Sequence, residues 1–104
     1  MAEPPVDKIV AKIVETFHPR RIVMFGSRAR GEGGPDSDLD LFVEMESEES
    51  PWDRIRAVDT LFARRRWSMD IVVCTPEEVR RFKDVLGTLL YTIEREGKVL
   101  YERQ

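Results

Sequence analysis

Residues 22–41 read IVMFGSRARGEGGPDSDLDL, and the fold turns on how this stretch divides. Ile22-Val23-Met24-Phe25 is a short apolar run of strand formers closed by a glycine, the pattern of a buried strand. Gly26 to Ser37 holds four of the six glycines and Pro35, so it is read as a loop, with one short helical turn after Gly26-Ser27. A second strand is expected over about 38–44, where Asp38, Asp40 and Phe42 alternate with Leu39, Leu41 and Val43. That alternation points Asp38 and Asp40 to one face. Two carboxylates side by side on an apolar strand repel each other and cost solvation, so something positive is expected between them.

Working outward, Asp7 followed by Val10, Ile13, Val14 and Phe17 has helical spacing and predicts a helix over about 7–17, after a loose lead-in through Pro4-Pro5. His18 precedes Pro19 and should end it, because a residue before proline is pushed out of the helical region. Downstream, the acidic stretch 44–49 reads as a solvated loop. Ser50-Pro51-Trp52-Asp53 then opens a helix with the stripe Ile55, Val58, Leu61 and Phe62, and Arg64-Arg65-Arg66 suits its carboxyl end. Met69 to Val73 is a third strand. Thr75-Pro76-Glu77-Glu78 is a capping box that starts a helix carrying Val79, Phe82 and Leu86. A further helical stretch over about 88–96 is stopped by Gly97, and Lys98-Val99-Leu100-Tyr101 reads as a final edge strand. The order predicts one domain across 1–104, of α/β (α+β) class, with a small mixed sheet and helices packed mainly on one face.

Composition narrows the function. Lys+Arg 17 against Asp+Glu 20 gives a formal charge of −3, which argues against a broad nucleic-acid surface. Cys74 is the one cysteine, so neither an intramolecular disulfide framework nor a multi-cysteine metal site can form. No apolar run reaches membrane-span length, and a cytoplasmic location is expected. His18 reads as a helix-end residue, Cys74 as a small core residue, and Trp52, Trp67, Tyr91 and Tyr101 as packing aromatics.

The chemistry lies in the glycine-rich stretch and three acids. Hard divalent cations such as Mg²⁺ take oxygen ligands, commonly one or two carboxylates plus substrate phosphates. Asp38 and Asp40 supply two, and Asp70 supplies a third if the strands that carry them are neighbours. Gly26-Ser27 follows a strand directly, where a glycine lets backbone N–H groups approach a phosphate and a serine hydroxyl adds a donor. Either motif alone is ordinary turn chemistry. Together they are not.

The joint pattern resembles the minimal nucleotidyltransferases of the DNA polymerase beta superfamily: Gly-Ser, ten residues, Asp-x-Asp, and a later acid on a strand. Here Gly26-Ser27 is followed by residues 28–37 and then Asp38-Leu39-Asp40, with Ala29-Arg30-Gly31 after the Gly-Ser, Ser37 before the first acid, and Asp70 in Met-Asp-Ile-Val-Val. The resemblance covers nearly the whole chain. It implies the polymerase beta-like fold and Mg²⁺-dependent transfer of a nucleoside monophosphate from ATP or another NTP. It implies too that Asp38, Asp40 and Asp70 are catalytic and hold two Mg²⁺ ions. Gly26 and Ser27 would bind the β- and γ-phosphates, and Arg28 or Arg30 would offset triphosphate charge. Chains that this one resembles are often paired with a HEPN-type ribonuclease toxin, and some act as antitoxins by adding AMP to a tyrosine of that partner, as in a type VII-like toxin–antitoxin pair. The competing readings are a docking antitoxin without catalysis, and transfer to a small molecule such as an aminoglycoside by a chain that pairs with itself.

Overall fold

The computed structural model describes residues 3–34 and 36–104; Met1 and Ala2 of the lead-in and Pro35 of the loop lie outside the described residues. The quoted stretch is a hairpin with a long tip. Strand β1 (Arg21–Phe25) pairs antiparallel with β2 (Leu39–Glu44), setting Phe25 opposite Asp40. β3 (Met69–Cys74) lies parallel to β2, and β4 (Lys98–Glu102) antiparallel to β1, so the mixed sheet runs β3-β2-β1-β4. A parallel neighbour needs a crossover. The helix α2 (Pro51–Thr60) lies within it.

Among the described residues four helices cover the sheet: α1 (Val6–Phe17), α2, α3 (Pro76–Phe82) and α4 (Leu89–Glu96). The larger core lies on one face, where Ile9 and Ile13 of α1 and Val58 of α2 meet Ile22, Leu39, Leu41, Val43 and Ile71. A smaller cluster joins Val23 and Phe42 to Val79 of α3 and to Leu90 and Ile93 of α4 on the other face. The central strand β2 is therefore buried along its length, with Asp40 as its one half-buried residue. Asp38 lies one residue ahead of the strand as the structure bounds it.

Local chemistry sets the boundaries. His18 takes a left-handed conformation (φ 50°) and its N–H donates to Val14 O, closing α1 before Pro19. Ser50 caps α2 by accepting from the Asp53 N–H, with proline at the first turn. Thr75 and Glu78 form the reciprocal capping box of α3.

The helices are divided between the two faces, α1 and α2 on one and α3 and α4 on the other, rather than packed mainly on one as expected, and four further expectations change. Helix α3 ends at Phe82, so Leu86 lies in the following turn and is 79% exposed. There the Thr88 hydroxyl reaches the Phe82 and Val85 carbonyls, and Gly87 takes a positive φ of 93°. Glu44 is not loop but the last residue of β2, and it is buried because the Arg21 guanidinium pairs with it at 3.0 Å. Helix α2 stops at Thr60, so Leu61, Phe62 and Arg64 to Arg66 fall in turns after it. Trp52 is not a packing residue: at 75% exposure it projects from the first turn of α2.

Candidate active site

Topology brings the acids together. The β1–β2 hairpin sets Gly26 and Asp38 at the same end of the sheet, since one strand ends where the other begins. Because β3 runs parallel to β2, its start lies at that end too, and Asp40 pairs directly with Asp70. Residues opposite each other on neighbouring strands share a face, about 5 Å apart at the backbone. The face is that of Phe42, toward α3 and α4.

Asp40 feels its neighbours. Burial pushes its carboxyl above the ordinary aspartate range, and the negative charges of Asp70 and then Asp38 push it the same way, as does a side-chain hydrogen bond with Asp70. Asp38 and Asp70 are exposed. Among the described residues, no group of three or more His, Cys, Asp or Glu side chains is already drawn up as a metal site. The trio is an open set of hard oxygen donors with unrelieved like-charge repulsion. That fits Mg²⁺, an ion that completes its shell from water and substrate phosphate.

The loop after β1 opens with a tight turn. Gly26 has φ 78°, and its carbonyl accepts from the Ala29 and Arg30 N–H groups at 3.1 and 3.3 Å, giving the short helical turn expected there. A Cβ on Gly26 would overlap Asp40 Oδ2 and lie 3.2 Å from Asp40 Cγ. The glycine thus makes room for the acid as well as for the turn, a constraint the spacing of the motif does not reveal. Ser27 is half-buried, and neither its N–H nor its hydroxyl takes a partner among the described residues.

The two arginines are engaged within the fold. Arg28 reaches across the loop, donating from Nε to Ser37 O at 3.1 Å and from Nη2 to Gly34 O at 3.4 Å. Ser37 Oγ accepts from the Gly34 N–H at 2.9 Å, so Arg28 and Ser37 together shape the loop just before Asp38. Arg30 is exposed and donates to Glu32 at 3.2 Å, with Glu96 at 4.0 Å.

At the opposite end of the same face lies a structural ion network. Arg21 pairs with Glu44 and donates through both terminal nitrogens to Glu94 of α4. Burial pushes the pKa of the Cys74 thiol, at the end of β3, up to about 11, so it stays protonated at neutral pH.

No curated protein matches the chain. A candidate nucleotidyltransferase from Sulfolobus solfataricus superposes with a TM-score of 0.67 at 23% identity, over 94% of this chain and 78% of that one. A toxin–antitoxin crystallised with AMP-PNP gives 0.61 at 21%, over 94% and 74%. A mutant of the toxin–antitoxin MntA-HpeT gives 0.56 at 18%, over 100% and 75%. At these identities the likeness is one of fold. The profile of the nucleotidyltransferase domain matches residues 6–100, from the first residue of α1 into β4, and so takes in the turn at Gly26 and all three acids. The chain belongs to the nucleotidyltransferase domain family.

Proposed function

We propose that this nucleotidyltransferase moves a nucleoside monophosphate, AMP from ATP, onto a hydroxyl of a partner protein, and that it is the antitoxin of a HEPN-type toxin whose tyrosine it modifies. The observation that carries the transfer reading is the pairing of Asp40 with Asp70 beside the glycine turn. Two similar folds are toxin–antitoxins, one of them crystallised with AMP-PNP, which supports the partner and the nucleotide.

In this reading the Ser27 hydroxyl and the backbone N–H groups after Gly26 take the β- and γ-phosphates. Arg28 and Arg30 add positive potential from the loop. Asp38 and Asp40 would hold the escort ion of the triphosphate, and Asp70 would share in a second; Mg²⁺ held there would supply charge to stabilise the attacking and leaving oxygens of an in-line displacement. Asp70, exposed at the start of β3, takes the proton of the acceptor hydroxyl as its oxygen bonds to the α-phosphorus. Pyrophosphate leaves on the side of Ser27. Clustered acids raise the cost of folding without a cation, a burden that a docking subunit has no reason to carry.

Incubation with labelled ATP, Mg²⁺ and a HEPN partner tests the reading. Label should appear on the partner, and Asp70→Asn should abolish it while sparing Mg-ATP affinity measured by calorimetry. Asp38→Asn and Asp40→Asn should weaken both. Transfer by Asp70→Asn at the parental rate would sink the three-acid mechanism. Binding of the partner without label would favour docking alone, and label on an aminoglycoside would move the acceptor to a small molecule.

A further inference from the structure

On the far face of the same sheet end lies an open cavity of about 530 Å³ that the transfer mechanism does not use. Leu61, Phe62 and Trp67 line it from the turns between α2 and β3, Lys12 from α1, and Arg64 and Arg66 from the chain between them. Arg64 and Arg66 are exposed and make no ion pair among the described residues, while Arg65 is tied back to Asp59 at 2.9 Å and to Met69 O at 3.4 Å. Lys12 Nζ sits 6.0 Å from the centre of the Phe62 ring, and Glu3 is the acid at the cavity. The indole N–H of Trp67 is buried and has no acceptor among the described residues. In a chain of net charge −3 this is a local reversal: cations over an aromatic and aliphatic floor, with one polar donor unspent.

We infer that this cavity docks an acidic segment of the acceptor protein, with an apolar side chain on the Leu61–Phe62–Trp67 floor and carboxylates against Arg64, Arg66 and Lys12. Position supports the match. Trp67 stands three residues before Asp70, so the two lie within about 10 Å along extended chain. β3 is an edge strand, so a segment held in the cavity can pass around its start to bring a neighbouring hydroxyl to Asp70. The apolar floor and the confinement of the cations to one small patch favour such a segment over a nucleic-acid backbone, which needs a spread basic surface. The role as acceptor dock rests on the transfer reading above; binding itself does not.

The test uses the full chain carrying Trp52→Phe, so that Trp67 is the one fluorophore of its kind. The probe is a short N-acetylated, C-amidated peptide in which glutamates alternate with leucines around one tyrosine. It should shift Trp67 emission, bind more weakly at high salt, and lose about five- to tenfold in affinity with Arg64→Ala plus Arg66→Ala. In that double variant KM for the peptide in the transfer assay should rise by a similar factor, with kcat and Mg-ATP affinity unchanged. Equal binding of the glutamine counterpart, indifference to the double substitution, or preference for oligouridylate over the peptide overturns the inference. Binding with these signatures but no transfer to any acceptor upholds the dock and sinks the transfer reading. Transfer with KM unmoved by the double substitution does the reverse.

Discussion

Gly26 and Asp40 occupy one space between them, and each sets a prediction for the other. Gly26→Ala meets two obstacles, a φ of 78° and the Asp40 carboxylate. The left-handed backbone alone costs a non-glycine residue about 1–2 kcal/mol. Urea denaturation should show at least that loss, and Mg-ATP affinity should fall because Asp40 must turn away. Asp40→Asn acts in the opposite sense on stability. The folded state holds the Asp40 proton more tightly than the unfolded chain does, so stability falls as pH rises from the ordinary aspartate value of 3.8 to the raised folded one, and the deficit persists above it. Asparagine removes it. In metal-free buffer at neutral pH the variant should melt above the parent, and lose that advantage when Mg²⁺ is added. A lower Tm without metal would show that Asp40 is not under repulsion. Residues of this kind were legible in sequence to different depths. The Gly-Ser and Asp-x-Asp were readable because their chemistry is local. The steric tie between Gly26 and Asp40 was not, because it exists only once Phe25 pairs with Asp40.

Helices and strands repeat that lesson. Caps at Ser50 and Thr75 mark two helix starts from sequence, since an N-cap needs no tertiary partner, and the structure adds Thr88 as the cap of α4. The end of α3 differs from the expectation because Leu86 continues the helical stripe of Val79 and Phe82 in sequence, yet in the fold it is left 79% exposed. Arg54 was invisible as a structural residue: it falls on a helix face in a charged stretch and is 5% exposed. Its guanidinium reaches Glu78 at 2.7 and 3.3 Å, the Val73 carbonyl at 3.3 Å and the Glu49 carbonyl at 3.2 Å, tying α2 to β3 and α3. Arg54→Ala should cost about 2–3 kcal/mol in chemical denaturation, because carbonyls and a carboxylate lose their donor. Hydrogen bonding from Arg54 holds the Glu78 carboxyl below the usual glutamate range. The stability this supplies is complete above that range and is lost as pH falls through the folded value. The acid limb of a Tm-against-pH curve should therefore flatten in Arg54→Ala. Thr75→Ala, which removes one half of the capping box, should cost about 1 kcal/mol and leave transfer unchanged.

For the molecule as a whole, the sheet order β3-β2-β1-β4 is what turns separate motifs into a site. A reading of the sequence could propose that β2 and β3 are neighbours; only the parallel register fixes Asp70 opposite Asp40 and on the same face. A ligand that bridges the turn at Gly26 and the acids should stabilise the whole fold by mass action. At one hundred times its Kd, Mg-ATP adds about 2.7 kcal/mol, so Tm should rise by roughly 10–20 °C in a scanning measurement. ATP with EDTA should give much less, because the acids then add repulsion in place of ligands. The crowding of Gly26 against Asp40 has a mechanical corollary. Gly26 follows Phe25, whose backbone pairs with Asp40, so the turn and the strand that carries the acid are pinned side by side and behave as a single hinge leaf. Nucleotide that stills the loop must also still the carboxylate, and amide order at Gly26 and at Asp40 should stiffen along one titration curve.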